Sequence, residues 1–178
     1  MRHLVILSGN SLKNKAWGEA ALEHFGPKFD SSFMLQYDHW DSGEASLDFA
    51  KEEAKLRAHV NSLPTGTEVT LMAKSAGSLL VFLASYHQAV TPVRCVFFGI
   101  PFDLAATGLF LNDWSPVKNF TVPATAFHNV ADPTTSYEFT KSTLKQYAPH
   151  ITLVTTHEAD HWYGDFTTYG IYLNHAPK

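Results

Sequence analysis

The sequence predicts one α/β domain spanning residues 1–178, a three-layer αβα sandwich around a mostly parallel central sheet of about six strands. Short apolar runs alternate along the chain with longer stretches of helical pattern. The runs stop at turn-forming residues, as at Ser8-Gly9-Asn10 and Gly99-Ile100-Pro101. The composition is that of an ordinary globular chain, 45% hydrophobic and 17% charged, and 178 residues suffice to bury a single core.

Leu4–Leu7 reads as a short buried strand, and Trp17–Phe25 as a helix with Trp17, Ala20 and Ala21 near one face. Phe33–Tyr37 is the second strand. Leu47–Leu63 is an amphipathic helix rich in Lys and Glu, stopped by Pro64 and Gly66. Glu68–Met72 is the third strand. The nearly all-apolar helix Gly77–Tyr86 after it must be buried. Arg94–Phe98, Ala124–His128 and Ile151–Thr155 supply the remaining strands, with helices at Ser136–Tyr147 and Phe166–Asn174. In a parallel sheet covered on both faces, sites form at the carboxyl ends of the strands. The residues just after each strand therefore carry the functional reading.

After the third strand comes Ala73-Lys74-Ser75-Ala76-Gly77-Ser78. A serine at a sharp strand-to-helix turn projects its hydroxyl, and small residues two before and two after let the helix pack close. The segment resembles the nucleophile elbow G-x-S-x-G of the α/β-hydrolase family, with Ala73 in place of the first glycine. Read alone, it also fits a serine capping a core helix. A P-loop is excluded, because the glycines required ahead of Lys74-Ser75 are absent.

The resemblance implies a minimal α/β-hydrolase fold and a chain order of nucleophile, acid and histidine. Ser75 is then the nucleophile. His128-Asn129-Val130-Ala131-Asp132 resembles the acid loop and implies Asp132, with Asp103 after the fourth strand as its rival. Asp160-His161-Trp162 resembles the histidine loop and implies His161, with His157 as its rival. Ser8-Gly9-Asn10-Ser11 resembles the family's H-G-x loop, with serine for the usual histidine. It implies an oxyanion hole of the Asn10 and Ala76 amides, Ser11 being the alternative donor, reinforced by the helix N-terminus.

The resemblance also implies a hydrolase of small carboxylic esters that needs no metal or organic cofactor. Ser11, Trp17, Lys74 and Trp162 are the expected substrate contacts, with Tyr37, Trp40 and Tyr163 near the same mouth. An apolar mouth suits acyl or aryl esters. Lys74 either favours an anionic substrate or points at solvent. Residues 102–121 stand where the family inserts a cap, and read either as a short helix over the site or as cover for the sheet edge.

Two other readings stand beside this one. His157-Glu158-Ala159-Asp160-His161 satisfies the zinc-peptidase pattern H-E-x-x-H, which needs both histidines on one helical face. The β-branched run before it and Gly164 after it leave little room for that helix. A non-catalytic binding domain on the same fold is the third reading, and expects Asp132 to fall short of His161.

The net charge of −4, without a basic run, argues against a nucleic-acid partner. No stretch approaches a membrane span, and the apolar run at the start is too short for a signal peptide core, so a cytoplasmic protein is expected. Monomer and homodimer both remain open. The single cysteine, Cys95, lies in the apolar run Val93–Phe98 and reads as a buried, inert thiol.

Overall fold

In the computed structural model, which describes residues 1–175, strands and helices alternate along the chain. The strands are β1 (Arg2–Leu7), β2 (Ser31–Met34), β3 (Glu68–Lys74), β4 (Arg94–Phe98), β5 (Ala124–Asn129) and β6 (Thr152–Thr156). The longer helices are α1 (Lys13–Phe25), α3 (Phe49–Asn61), α4 (Ala76–Tyr86), α7 (Tyr137–Tyr147) and α8 (Phe166–His175). Three short helices, α2 (His39–Ser42), α5 (Phe102–Gly108) and α6 (Ser115–Lys118), fill the connections. Residues 176–178 of the expected domain lie outside the described residues.

All six strands form one sheet in the order β2-β1-β3-β4-β5-β6, and every neighbouring pair is parallel. The chain runs outward from β1 to β2, then returns to place β3 on the other side of β1. The order therefore reverses between β1 and β3, and the crevice at their carboxyl ends is where such sheets bind ligands.

Helices cover both faces. Successive residues of a strand point to opposite faces. In β4, Phe97 stacks on Phe82 of α4, whereas Phe98 packs against Trp17 of α1 and Tyr169 of α8. The α4 helix is buried from Gly77 to Phe82, as its all-apolar pattern requires. Asp48 and Ser136 cap α3 and α7 by accepting hydrogen bonds from the amides of Lys51 and Phe139. Among the described residues, no helix is long and apolar enough to cross a membrane.

One expectation shifts. The second strand was expected at Phe33–Tyr37 but spans Ser31–Met34. Its partner β1 ends at Leu7, so after Leu35 donates to the Ile6 carbonyl no ladder remains for Gln36 and Tyr37. Residues 102–121 send Phe102, Phe110, Val117 and Phe120 into the core, while much of the segment is exposed. Phe102 and Phe120 are buried against Phe82, and Trp114 stacks on Tyr147 of α7. Only Leu104 and Leu111 stand out as large exposed apolar side chains of this segment.

Candidate active site

Ser75 sits between the last residue of β3 and the first of α4 with φ 51° and ψ −123°. A positive φ is rare for a residue with a Cβ and marks a strained turn. The turn is held because the Ser75 amide donates to the Phe98 carbonyl at 2.9 Å, and the Ser78 amide to the Ser75 carbonyl at 2.9 Å. Gly77 is glycine for a steric reason. A Cβ there would lie 2.5 Å from the Leu7 carbonyl oxygen and 2.6 Å from that of Ser8. The start of α4, with the Ala76 amide, thus packs directly on the end of β1.

Asp132 and His161, on the loops after β5 and β6, meet. His161 Nδ1 lies 2.7 Å from Asp132 Oδ2, and the Asp132 side chain is 0% exposed. Oδ2 also accepts the Tyr163 hydroxyl at 2.7 Å, while Oδ1 accepts the amides of Thr134 and Thr135 at 2.8 and 3.2 Å. Burial alone would raise the Asp132 pKa. The hydrogen bonds from His161, Tyr163 and Thr134 outweigh it and hold the carboxyl below its ordinary range. Burial, with the carboxylate beside it, pushes the Tyr163 phenol well up, so it stays a donor.

The other ring nitrogen, His161 Nε2, is buried and has no hydrogen-bond partner. The ring lies over Gly99, where a Cβ would come within 2.9 Å of His161 Cε1 and 2.6 Å of Tyr163 Cε2. Gly99 follows Phe98, whose carbonyl holds Ser75. The imidazole therefore lies against the residue just past β4, next to the contact that fixes the elbow.

The histidine loop is shaped by Asp160 and by Tyr163, which the sequence grouped at the mouth but which is buried. Asp160 accepts the Trp162 amide at 2.7 Å, and its carbonyl accepts the Asn129 side chain at 2.8 Å. Tyr163 has φ 54°, and its carbonyl accepts Trp17 Nε1 at 3.0 Å. A carboxylate two residues before an amide in an irregular stretch is an Asx-turn signal, and it was available at Asp160. The reach of Tyr163 to Asp132 spans two separate loops and had no local signal.

The loop after β1 is anchored from below. The Ser8 carbonyl accepts the Tyr37 hydroxyl at 2.9 Å, and the Asn10 carbonyl accepts His39 Nε2 and Trp40 Nε1. Asn10 Oδ1 accepts the Leu47 amide at 2.7 Å. Asn10 is half-buried and Ser11 exposed. Tyr37 and Trp40, grouped at the mouth by sequence, are buried beneath this loop instead.

Trp17 and Lys74 also depart from the expected mouth. Trp17 is 0% exposed and packs edge-on against Phe98 and Phe166, so it offers no surface to a substrate. Lys74 is 1% exposed and donates to Asn14 Oδ1, so neither solvent nor a direct substrate contact is open to it. Burial pulls its ammonium down to about 8, partly opposed by the carboxylates of Asp132 and Asp160. Trp162 is the expected contact that remains at the surface.

The rivals fall elsewhere. Asp103 accepts Thr135 Oγ1 at 2.8 Å and the Ser136 amide at 2.9 Å, bracing the acid loop rather than touching His161. His157 and Glu158 are exposed on irregular chain after β6, not on a helix, so H-E-x-x-H lacks the shared face that zinc binding needs. No cluster of three metal-ligating side chains occurs among the described residues. His128 lies within β5 and is buried against the Thr135 carbonyl. An open groove of about 380 Å³ between Val60 and Thr91 lies at the amino end of β3, away from this chemistry.

No protein-family model matches the sequence, and no curated protein is similar to it. Solved structures are similar in shape. A Butyrivibrio proteoclasticus protein with ferulic acid bound has a TM-score of 0.73 at 16% identity, over 97% of this chain and 86% of that one. An α/β serine hydrolase without a lid from Xanthomonas campestris has a TM-score of 0.72 at 15% identity, over 97% and 79%. An α/β serine hydrolase homologue from Coxiella burnetii has 0.74 at 13% identity, over 98% and 85%. Likeness at this identity speaks to architecture, and the architecture of this chain is the α/β-hydrolase fold.

Proposed function

We propose that the chain is a serine hydrolase that cleaves small carboxylic esters through an acyl-enzyme on Ser75. The observation that carries the proposal is the 2.7 Å contact between His161 and Asp132, with the opposite ring nitrogen buried and unpartnered. The binding-domain reading expects Asp132 to fall short of His161, whereas the two lie within hydrogen-bond distance.

In this reading Asp132 fixes the tautomer of His161 that leaves Nε2 free. Nε2 takes the proton of Ser75 as the hydroxyl attacks the ester carbonyl. The oxyanion forms against the Ala76 amide and the amide of Asn10, with Ser11 as the alternative second donor. His161 then protonates the leaving alcohol, and water repeats the sequence to release the acid. The chemistry is complete without a metal or an organic cofactor. Trp162, 42% exposed beside His161, lies against the acyl or aryl group.

The test is a fluorophosphonate probe followed by mapping of the adduct. An adduct on Ser75 that is lost on prior denaturation and in Ser75→Ala supports the reading. Labelling elsewhere, or full turnover of p-nitrophenyl acetate by Ser75→Ala, overturns it. A series of p-nitrophenyl esters and a hydroxycinnamate ester then addresses the acyl group. A sharp optimum at long acyl chains would contradict the small-ester assignment.

A further inference from the structure

Lys74 is the residue before the nucleophile, and its environment is unusual for a lysine. The side chain is 1% exposed, and no carboxylate lies within ion-pair distance of it among the described residues. A buried cation without a counter-charge is destabilising. A core position adjoining β1 and β4 would hold a Met or Leu at no such cost. The cation therefore needs a reason.

Its contacts supply one. The ammonium donates to Asn14 Oδ1, and Asn14 Nδ2 donates to Ser11 Oγ at 2.9 Å. The Asn14 side chain also presses on the loop after β1, since a Cβ at Gly9 would lie 2.7 Å from Asn14 Nδ2. On its other sides the ammonium faces two indoles, Trp17 at 5.7 Å and Trp162 at 5.8 Å from the ring centres. Trp162 follows His161, and Trp17 binds the Tyr163 carbonyl. One buried charge thus joins the first loop, the elbow and the histidine loop.

Resting on the serine-hydrolase reading above, we propose that Lys74 is a positioning residue. Its ammonium ties the loop after β1 to the loop carrying His161, holding the second oxyanion amide and the general base in register with Ser75. The tie depends on charge. A cation–π contact vanishes when the amine is neutral, and a charge-assisted hydrogen bond weakens. The charged groups facing it are Asp132 and Asp160, from the loops after β5 and β6. The ammonium is present below about pH 8 and lost above it, so register is lost on the alkaline side. The tyrosines of the site, Tyr37, Tyr163 and Tyr169, and Cys95 are all pushed further up and keep their protons there.

The experiment follows the rate of fluorophosphonate labelling across pH on either side of 8, with thermal stability, for the unaltered protein, Lys74→Met and Asn14→Asp. The unaltered protein is expected to lose rate above about pH 8. Lys74→Met is expected to lack that alkaline limb and to label more slowly by roughly ten- to a hundredfold, short of the loss of an oxyanion donor itself. It is also expected to melt no lower, because an uncompensated buried charge is gone. Asn14→Asp keeps the lysine and supplies a counter-charge, so the limb moves to higher pH.

A Lys74→Met protein that labels at the original rate overturns the proposal. So does one that slows only as its melting temperature falls, with an unchanged pH profile. Absence of any Ser75 adduct on the unaltered protein overturns the hydrolase reading itself.

Discussion

Tyr163 donates its hydroxyl to the same carboxylate oxygen of Asp132 that receives His161, each at 2.7 Å. The two donors approach from one loop, and the phenol oxygen in turn accepts the Asn129 amide at 3.1 Å. Asp132 is thereby held ionised and pointed, although its side chain is fully buried. Tyr163→Phe removes one of these donors, and a hydrogen bond to a charged group contributes about 1.5–3 kcal/mol. Urea unfolding should show a loss of that order, and labelling of Ser75 should slow at low pH as the Asp132 carboxyl moves back up.

Asp132→Asn should slow turnover by about 10⁴-fold, the scale expected when the carboxylate that sets a tautomer becomes an amide. Asp103→Asn should cost far less, because Asp103 accepts hydrogen bonds from Leu104, Thr135 and Ser136 and none from His161. Parallel rate measurements on the two variants distinguish the acids. The reverse ranking would transfer the role to Asp103.

Acid stability should follow Asp132 as well. Its folded pKa is lowered, so its contribution is present above the ordinary carboxylate value of about 3.9 and is lost as pH falls through the folded value. Asp132→Asn removes that dependence, and its unfolding free energy should fall less steeply with acid than that of the unaltered protein.

Two glycines are predicted to be intolerant for different reasons. In Gly77→Ala the methyl meets backbone oxygens of Leu7 and Ser8, which cannot swing away, and overpacking of this kind costs about 1–3 kcal/mol. In Gly99→Ala the methyl meets the rings of His161 and Tyr163 at a φ of 54°. Calorimetry should show the loss in both. Labelling of Ser75 should fail most in Gly99→Ala, where the displaced group is the base itself.

Cys95 should resist iodoacetamide in the folded protein and react in urea. It is 0% exposed, and burial pushes its thiol well up, which removes the nucleophilic thiolate. Rapid alkylation without denaturant would show that β4 opens locally.

Much of the site was legible because its signals are local. The elbow reads from Ala73-Lys74-Ser75-Ala76-Gly77, since the need for small residues two before and two after the serine comes from packing within one strand–turn–helix unit. Asp132 and His161 read from their places after strands, because a parallel sheet gathers its strand ends at one edge. Apart from Trp162, the aromatics grouped at the mouth did not read correctly. Tyr37, Trp40 and Trp17 share the composition of a substrate mouth, but a chain position gives no depth, and all three are buried.

From sequence alone come the order of strands and helices, the parallel sheet, and the candidate residues Ser75, Asp132 and His161, because hydrophobic period and turn chemistry are properties of neighbouring residues. Tertiary structure alone decided which carboxylate meets the histidine, that Tyr163 and not solvent completes it, and that Lys74 is enclosed. Those are contacts between residues 29 to 60 positions apart, as in His161 with Asp132 and Lys74 with Asn14. No local pattern encodes such a contact, because its partners become neighbours only when the sheet forms.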